Sequence, residues 1–142
     1  MAREWEPLPL DAADRRLIAA AKEALRRNYR PGRHSVGAAV RCASGRIYVG
    51  VNVEACGYGP CAEPIAIGTA FTNGEQELRA IVAVARRGRK CRVLSPCGNC
   101  RQLVLDYAPD AMVIFSGRRG SLQKTKARHL LPAAYHSHFD SH

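Results

Sequence analysis

Three cysteines and one glutamate have the side chains and the spacing to carry out a reaction. Cys61 and Glu63 flank Ala62, and 36 positions after Cys61 a second pair, Cys97 and Cys100, encloses Gly98 and Asn99 behind Ser95 and Pro96. Three thiolates is the informative count. A structural zinc site ordinarily closes its tetrahedron with four protein ligands, whereas a catalytic one supplies three and leaves the fourth position to water. Such an open site can lower the pKa of its water from roughly 15.7 to about 7, which gives a hydroxide nucleophile near neutral pH. Glu63, two residues beyond a ligand, would reach that fourth position without occupying it, as a proton shuttle must. The chemistry that suits the set is attack on an amidine-like ring carbon followed by loss of ammonia. Glu63 would move protons from water to ring nitrogen and then to the leaving amine. Two other uses of the same residues stand beside this one. A lone Cys-x-x-Cys also serves structural zinc knuckles and redox pairs, and a closed four-cysteine site could recruit Cys56 or Cys91. Cys42 falls in a strand pattern, where core packing is the expected role.

The elements that must position these groups follow from pattern and punctuation. Asp11 can cap a helix running to about Tyr29, because Leu17, Ile18, Ala21, Ala24 and Leu25 recur at helical spacing. Residues 36–42 and 46–53 are two β-prone stretches joined by Ala43, Ser44 and Gly45, a hairpin pattern. Gly57, Gly59 and Pro60 then bend the chain into Cys61, which opens an apolar helix over 61–72 that Asn73 and Gly74 stop. Residues 78–85 form an apolar run suited to a strand covered on both faces. A short extended piece over 91–94 leads to a second helix opening at 97–100 and carrying Leu103, Val104 and Tyr107. A strand over 111–115 and a short helix over 127–131 complete the chain. Helices alternating with strands predict a three-layer α/β/α sandwich around a mixed, roughly five-stranded sheet. Both cysteine turns would then sit at helix N-termini, where unpaired N–H groups and the macrodipole stabilise thiolates.

Composition bounds the rest. With 142 residues and 46% hydrophobic content, one core and a single domain over 1–142 are expected. Residues 1–10 lack an apolar stretch after a basic start, and no run approaches the roughly 20 apolar residues of a membrane span, so a cytoplasmic protein without membrane partner is predicted. In that compartment six cysteines read as thiols or metal ligands rather than disulfides. A formal net charge of +10 invites a nucleic-acid reading. Yet the basic residues lie in short, scattered groups and only 6% of the chain is aromatic, so a solvated basic surface and no nucleic-acid partner are expected. His136, His138 and His142 form a tail open to two readings, metal binding or a disordered terminus.

At Cys61-Ala62-Glu63 and Pro96-Cys97-Gly98-Asn99-Cys100-Arg101-Gln102 the sequence resembles the cytidine deaminase superfamily, in its free-nucleoside branch. The resemblance runs from about Val36 to Tyr135 and takes in Val36-Gly37-Ala38-Ala39, Asn52-Val53-Glu54 and Leu130-Leu131-Pro132. It implies one zinc ion per subunit, deamination of cytidine or deoxycytidine, hydrogen bonds from Asn52 and Glu54 to ribose hydroxyls, and orientation of the base by the Ala62 backbone and the Ser95 carbonyl. The all-cysteine ligand set resembles the tetrameric branch and implies a homotetramer, with Tyr135 either reaching a neighbour's pocket or capping the core. Three departures stand out. Pro64 follows Glu63 where nucleoside deaminases usually carry Arg, so thiolate charge must be offset elsewhere. His34 stands where Phe is common beside the base, and could stack, hydrogen-bond or face solvent. The short segment between Glu54 and Cys61, with Gly59-Pro60 and Gly68-Thr69-Ala70, resembles blasticidin S deaminases instead, which makes a modified cytosine nucleoside the alternative substrate.

Overall fold

The computed structural model describes residues 7–137. In chain order the elements are α1 (Ala12–Asn28), β1 (Val36–Cys42), β2 (Ile47–Val51), α2 (Ala62–Thr72), β3 (Leu78–Arg87), β4 (Lys90–Leu94), α3 (Gly98–Tyr107), β5 (Met112–Ser116) and β6 (Leu122–Lys126), with single 3-10 turns at Arg118–Gly120 and Ala127–His129. Asp11 caps α1 as predicted. Its carboxylate accepts from the Asp14 N–H at 2.9 Å while the Asp14 carboxylate accepts from the Asp11 N–H at 2.9 Å, a reciprocal capping box.

The strands form one mixed sheet in the order β2-β1-β3-β5-β6, with β4 also paired to β3. Among the described residues only the β3–β5 pairing is parallel. One face is covered by α1, whose Leu17, Ile18, Ala21 and Leu25 pack on Ala39, Ala80, Val82, Val84 and Ile114. On the other face α2 and α3 place Ala66, Ile67, Ala70 and Val104 against Ala38, Val40, Ile81 and Val113. This is the three-layer α/β/α sandwich that the pattern predicts. Full burial of a side chain such as Leu17 or Leu25 contributes about 1.5–3 kcal/mol, so each layer is anchored by a few residues. Cys42 is 1% exposed within the second of these clusters, in the packing role expected of it.

The sheet has six strands rather than five. The added one, β6, reads Leu-Gln-Lys-Thr-Lys and offers little β propensity of its own; it forms because β5 presents a free edge that it pairs with over five residues. The helix expected over 127–131 is a single 3-10 turn, since Lys126 stays extended in the strand and Pro132 follows closely.

Two glycines set how closely the layers approach. A Cβ on Gly37 would lie 2.6 Å from the Ala21 carbonyl oxygen of α1, and one on Gly50 would lie 2.6 Å from the Ala66 nitrogen of α2. Each permits a helix to sit directly on a strand.

Candidate active site

Cys61 is the N-cap of α2 and Cys97 the N-cap of α3, with nearly the same backbone geometry, φ −60° and ψ 168° against φ −68° and ψ 167°. Cys100 follows in the first turn of α3 and is fully buried. The two helix starts therefore aim three sulfurs at one point, all within 4.8 Å of one another. Cys61 Sγ and Cys97 Sγ stand 3.7 Å apart. A tetrahedral zinc with Zn–S bonds near 2.3 Å separates its sulfurs by about 3.8 Å, so the Cys61–Cys97 spacing matches that metal and Cys100 lies close enough to complete the set. Among the described residues, neither Cys56 nor Cys91 joins this group. Cys56 is exposed, and Cys91 lines cavities on the α1 face of the sheet.

Glu63 occupies the first turn of α2, is 5% exposed and hydrogen-bonds the Cys100 thiol. Burial raises its carboxyl above the ordinary 4.5, against the lowering effect of that thiol. Burial likewise raises Cys61 and, reinforced by the Glu63 carboxyl, Cys100. Cys97 is the exception. Burial works to raise it too, but hydrogen bonds from the Cys100 and Asn99 backbone and from the neighbouring sulfurs prevail and hold it below its ordinary value. The N–H groups at the start of α3 thus favour the thiolate form of Cys97. Pro64 costs α2 nothing, since a first-turn N–H has no intrahelical partner to lose.

Cys61, Cys97 and Glu63, with Cys100 buried behind them, open onto a cavity of about 220 Å³ whose walls include Asn52, Glu54, Ala62, Ser95 and the apolar Val36 and Leu94. Asn52, 6% exposed, is largely committed within the protein. Its Oδ1 accepts from the N–H groups of Ser35 (2.9 Å) and Val36 (3.0 Å), and its Nδ2 donates to Glu54 Oε1 at 3.1 Å. Asn52 therefore orients Glu54 and keeps one N–H in hand. His34 does not line this cavity. Its Nδ1 lies 2.7 Å from the Asn52 carbonyl oxygen, which can only accept, so Nδ1 carries the proton. Of its three expected uses, hydrogen bonding is the one found. Ser95 Oγ donates to the Ser116 carbonyl at 3.0 Å, which ties β4 to the end of β5.

Tyr135 does not line the cavity of its own protomer, and the residue is 72% exposed, so the core-capping reading does not hold. His136 is exposed, while His138 and His142 lie outside the described residues. Sequence reasoning assigned no role to Arg101 and Gln102. Arg101 donates to the carbonyls of Pro96 (2.8 Å) and Leu130 (2.9 Å), and Gln102 donates to the Tyr135 carbonyl (2.9 Å). Together they bind the cysteine turn and the C-terminal segment to α3. Their place in the Pro96-to-Gln102 motif, directly after Cys100, was the available signal.

A three-sulfur cluster at paired helix starts, open on one side and flanked by a buried carboxyl, has the form of a metal-dependent hydrolase. Residues 11–116 match the family described as the cytidine and deoxycytidylate deaminase zinc-binding region. The blasticidin-S deaminase of Bacillus cereus is 41% identical over 129 residues, covering 86% of this chain and 91% of that protein. The cytidine deaminase of Sporosarcina psychrophila is 33% identical over 124 residues, 84% of this chain and 89% of that one. Among solved structures, cytidine deaminase from Burkholderia pseudomallei superposes with a TM-score of 0.71 at 34% identity, over 85% of this chain and 98% of the other. The chain belongs to the zinc-binding cytidine and deoxycytidylate deaminase family.

Proposed function

We propose that this protein is a zinc-dependent hydrolytic deaminase that converts cytidine- or deoxycytidine-type nucleosides to uridine-type products with release of ammonia. The observation that carries the reading is the convergence of three sulfurs with a buried Glu63 at the end of a small cavity. Cys61, Cys97 and Cys100 hold the zinc. When bound, the metal supplies a Lewis acid that makes water ionise near neutral pH. Glu63, kept protonatable by burial, accepts the proton of the attacking water, gives it to the ring nitrogen and then serves the departing amine. The new bond is C–O and the bond lost is C–N; water enters and ammonia leaves. Glu54, aimed by Asn52, takes the ribose hydroxyls together with the spare N–H of Asn52. The Ala62 backbone and the Ser95 carbonyl orient the base.

A second substrate reading, a modified cytosine nucleoside such as blasticidin S, is favoured by the 41% identity to the Bacillus cereus protein and by the short Glu54-to-Cys61 segment. Ammonia release and ultraviolet change on cytidine, deoxycytidine, cytosine and blasticidin S decide between them. Activity on cytidine and deoxycytidine is expected, activity on blasticidin S alone selects the second reading, and silence on all four removes both.

The reading extends to a single catalytic domain working in the cytoplasm as a homotetramer. Six free cysteines support a reducing compartment, and among the described residues no helix is long and apolar enough to cross a membrane. The exposed Ile47, Val49, Val53 and Tyr58, together with the outward ring of Tyr135, support contacts between copies. Light scattering coupled to gel filtration gives the count directly.

A further inference from the structure

Six of the basic residues that are scattered along the chain meet in space. On the α1 face, away from the sulfur cluster, two cavities of about 490 and 580 Å³ adjoin through Lys22 and Cys91. Lys22 and Arg26 come from α1, Arg86 from the end of β3, Arg89 from the turn that follows, Arg92 from β4, and Arg119 from the 3-10 turn after β5. Against these six cations the walls hold one carboxylate, Glu23. That carboxylate is already matched, since Arg26 grips it through two bonds of 2.7 and 2.8 Å. Lys22, Arg86, Arg89, Arg92 and Arg119 make no ion pair among the described residues; Arg79, Lys124, Lys126 and Arg128 elsewhere are paired while Arg15, Arg16 and Arg46 are not, so what sets the groove apart is the number of cations it gathers.

Arg86 is also held in place. Its Nε donates to the Gly88 carbonyl at 2.8 Å and its guanidinium lies 4.0 Å over the Tyr29 ring. A fixed guanidinium loses little freedom when it binds an oxyanion. Nothing in folding requires five like charges to line one groove, and their mutual repulsion is relieved by an anion that spans them. Arginines suit phosphate in particular, through paired N–H donors. Neither cavity is walled by an aromatic residue, which disfavours a nucleic-acid strand held by base stacking, and their size is that of small-molecule sites.

We propose that this groove is a second binding site, separate from the deaminase cavity, for a compact anion carrying several phosphates, such as the triphosphate of a nucleotide or a short inorganic oligophosphate. The site does not depend on the reaction assigned to the sulfur cluster.

Isothermal titration of the zinc-loaded full chain with tripolyphosphate, ATP, orthophosphate and a 20-nucleotide single strand, at near-physiological salt, tests it. Saturable binding of tripolyphosphate and ATP is expected, with orthophosphate at least about tenfold weaker because it spans fewer cations. Equal affinity for ATP and tripolyphosphate identifies the phosphates as the whole determinant, and tighter binding of ATP adds a nucleoside contact; either supports the site. Lys22→Gln/Arg89→Gln/Arg92→Gln should weaken binding about tenfold or more, while Arg79→Gln/Lys126→Gln/Arg128→Gln, equal in charge removed, should leave it within about twofold. Deaminase turnover is expected to be unchanged in both variants. Equal losses in the two triple variants, tighter binding of the single strand than of tripolyphosphate, or no saturable binding would each overturn the proposal.

Discussion

The two faces of one sheet treat charge in opposite ways. On the α2 and α3 face the ionisable groups at the centre, Glu63 and the Cys100 thiol, are buried and in mutual contact. On the α1 face ionisable groups are many. One end holds the buried Asp14 carboxylate against Lys124 at 2.7 Å, and the other end leaves five cations without a carboxylate. Enclosure lets a single proton carrier act on a bound molecule in a low-dielectric site, whereas an open basic groove retains water and can provide affinity but little chemistry. The same backbone scaffold therefore separates reactivity from attraction by the amount of water each face admits.

The largest effect that could break this contrast is at Glu63. Glu63→Gln is expected to lower kcat by about 10²–10⁴-fold while zinc content, measured by metal analysis, stays at one per chain. Unchanged turnover would place the chemistry elsewhere.

On the opposite face Asp14→Ala should act on stability instead. It leaves Lys124, whose side chain is 12% exposed, with only the Asp11 carboxylate at 3.2 Å, and removes half of the α1 capping box, for a loss of about 1–3 kcal/mol in urea unfolding. The fraction that remains folded should deaminate at the normal rate. A loss under 1 kcal/mol would mean that water already screens the pair.

The paired glycines sharpen the comparison further. Gly37→Ala and Gly50→Ala each force a helix off its strand and should cost about 1–3 kcal/mol. Only Gly50→Ala displaces α2, so only it should also reduce kcat, and equal kcat values in the two variants would show that α2 tolerates the shift.

The smallest effect is electrostatic. Hydrogen bonding from the Asp14 N–H, then from Lys124, holds Asp11 at about 2, below its ordinary 3.8. A depressed carboxylate stabilises the fold above its unfolded value and ceases to do so as pH falls through the folded one. Urea midpoints should therefore decline between pH 4 and pH 2, and Asp11→Asn, which can still cap the helix, should flatten part of that decline. An identical slope in the variant would assign the decline to other carboxylates.

The elements with strong local signals were legible from the chain: α1 from its Asp11 cap and spaced leucines, β1 residue for residue, and α2 from its apolar run and Asn-Gly stop. So were the two halves of the candidate metal set, because Cys-x-Glu and Cys-x-x-Cys each fit within one helical turn. Strand β6 was not, since Leu-Gln-Lys-Thr-Lys becomes a strand only through the edge of β5.

What the sequence determined by itself is everything encoded within about four residues: periodicity, caps, stops, and the reactive groups at each helix start. The tertiary structure alone decided that Cys61 meets a pair 36 positions away, that the Asn52 amide serves Ser35, Val36 and Glu54, and that Lys22, Arg86, Arg92 and Arg119 share one groove. The physical reason is that local pattern fixes φ, ψ and the face a residue presents, whereas contacts between distant segments depend on strand order and on which helix covers which face. Those choices are made by the packing of the whole core.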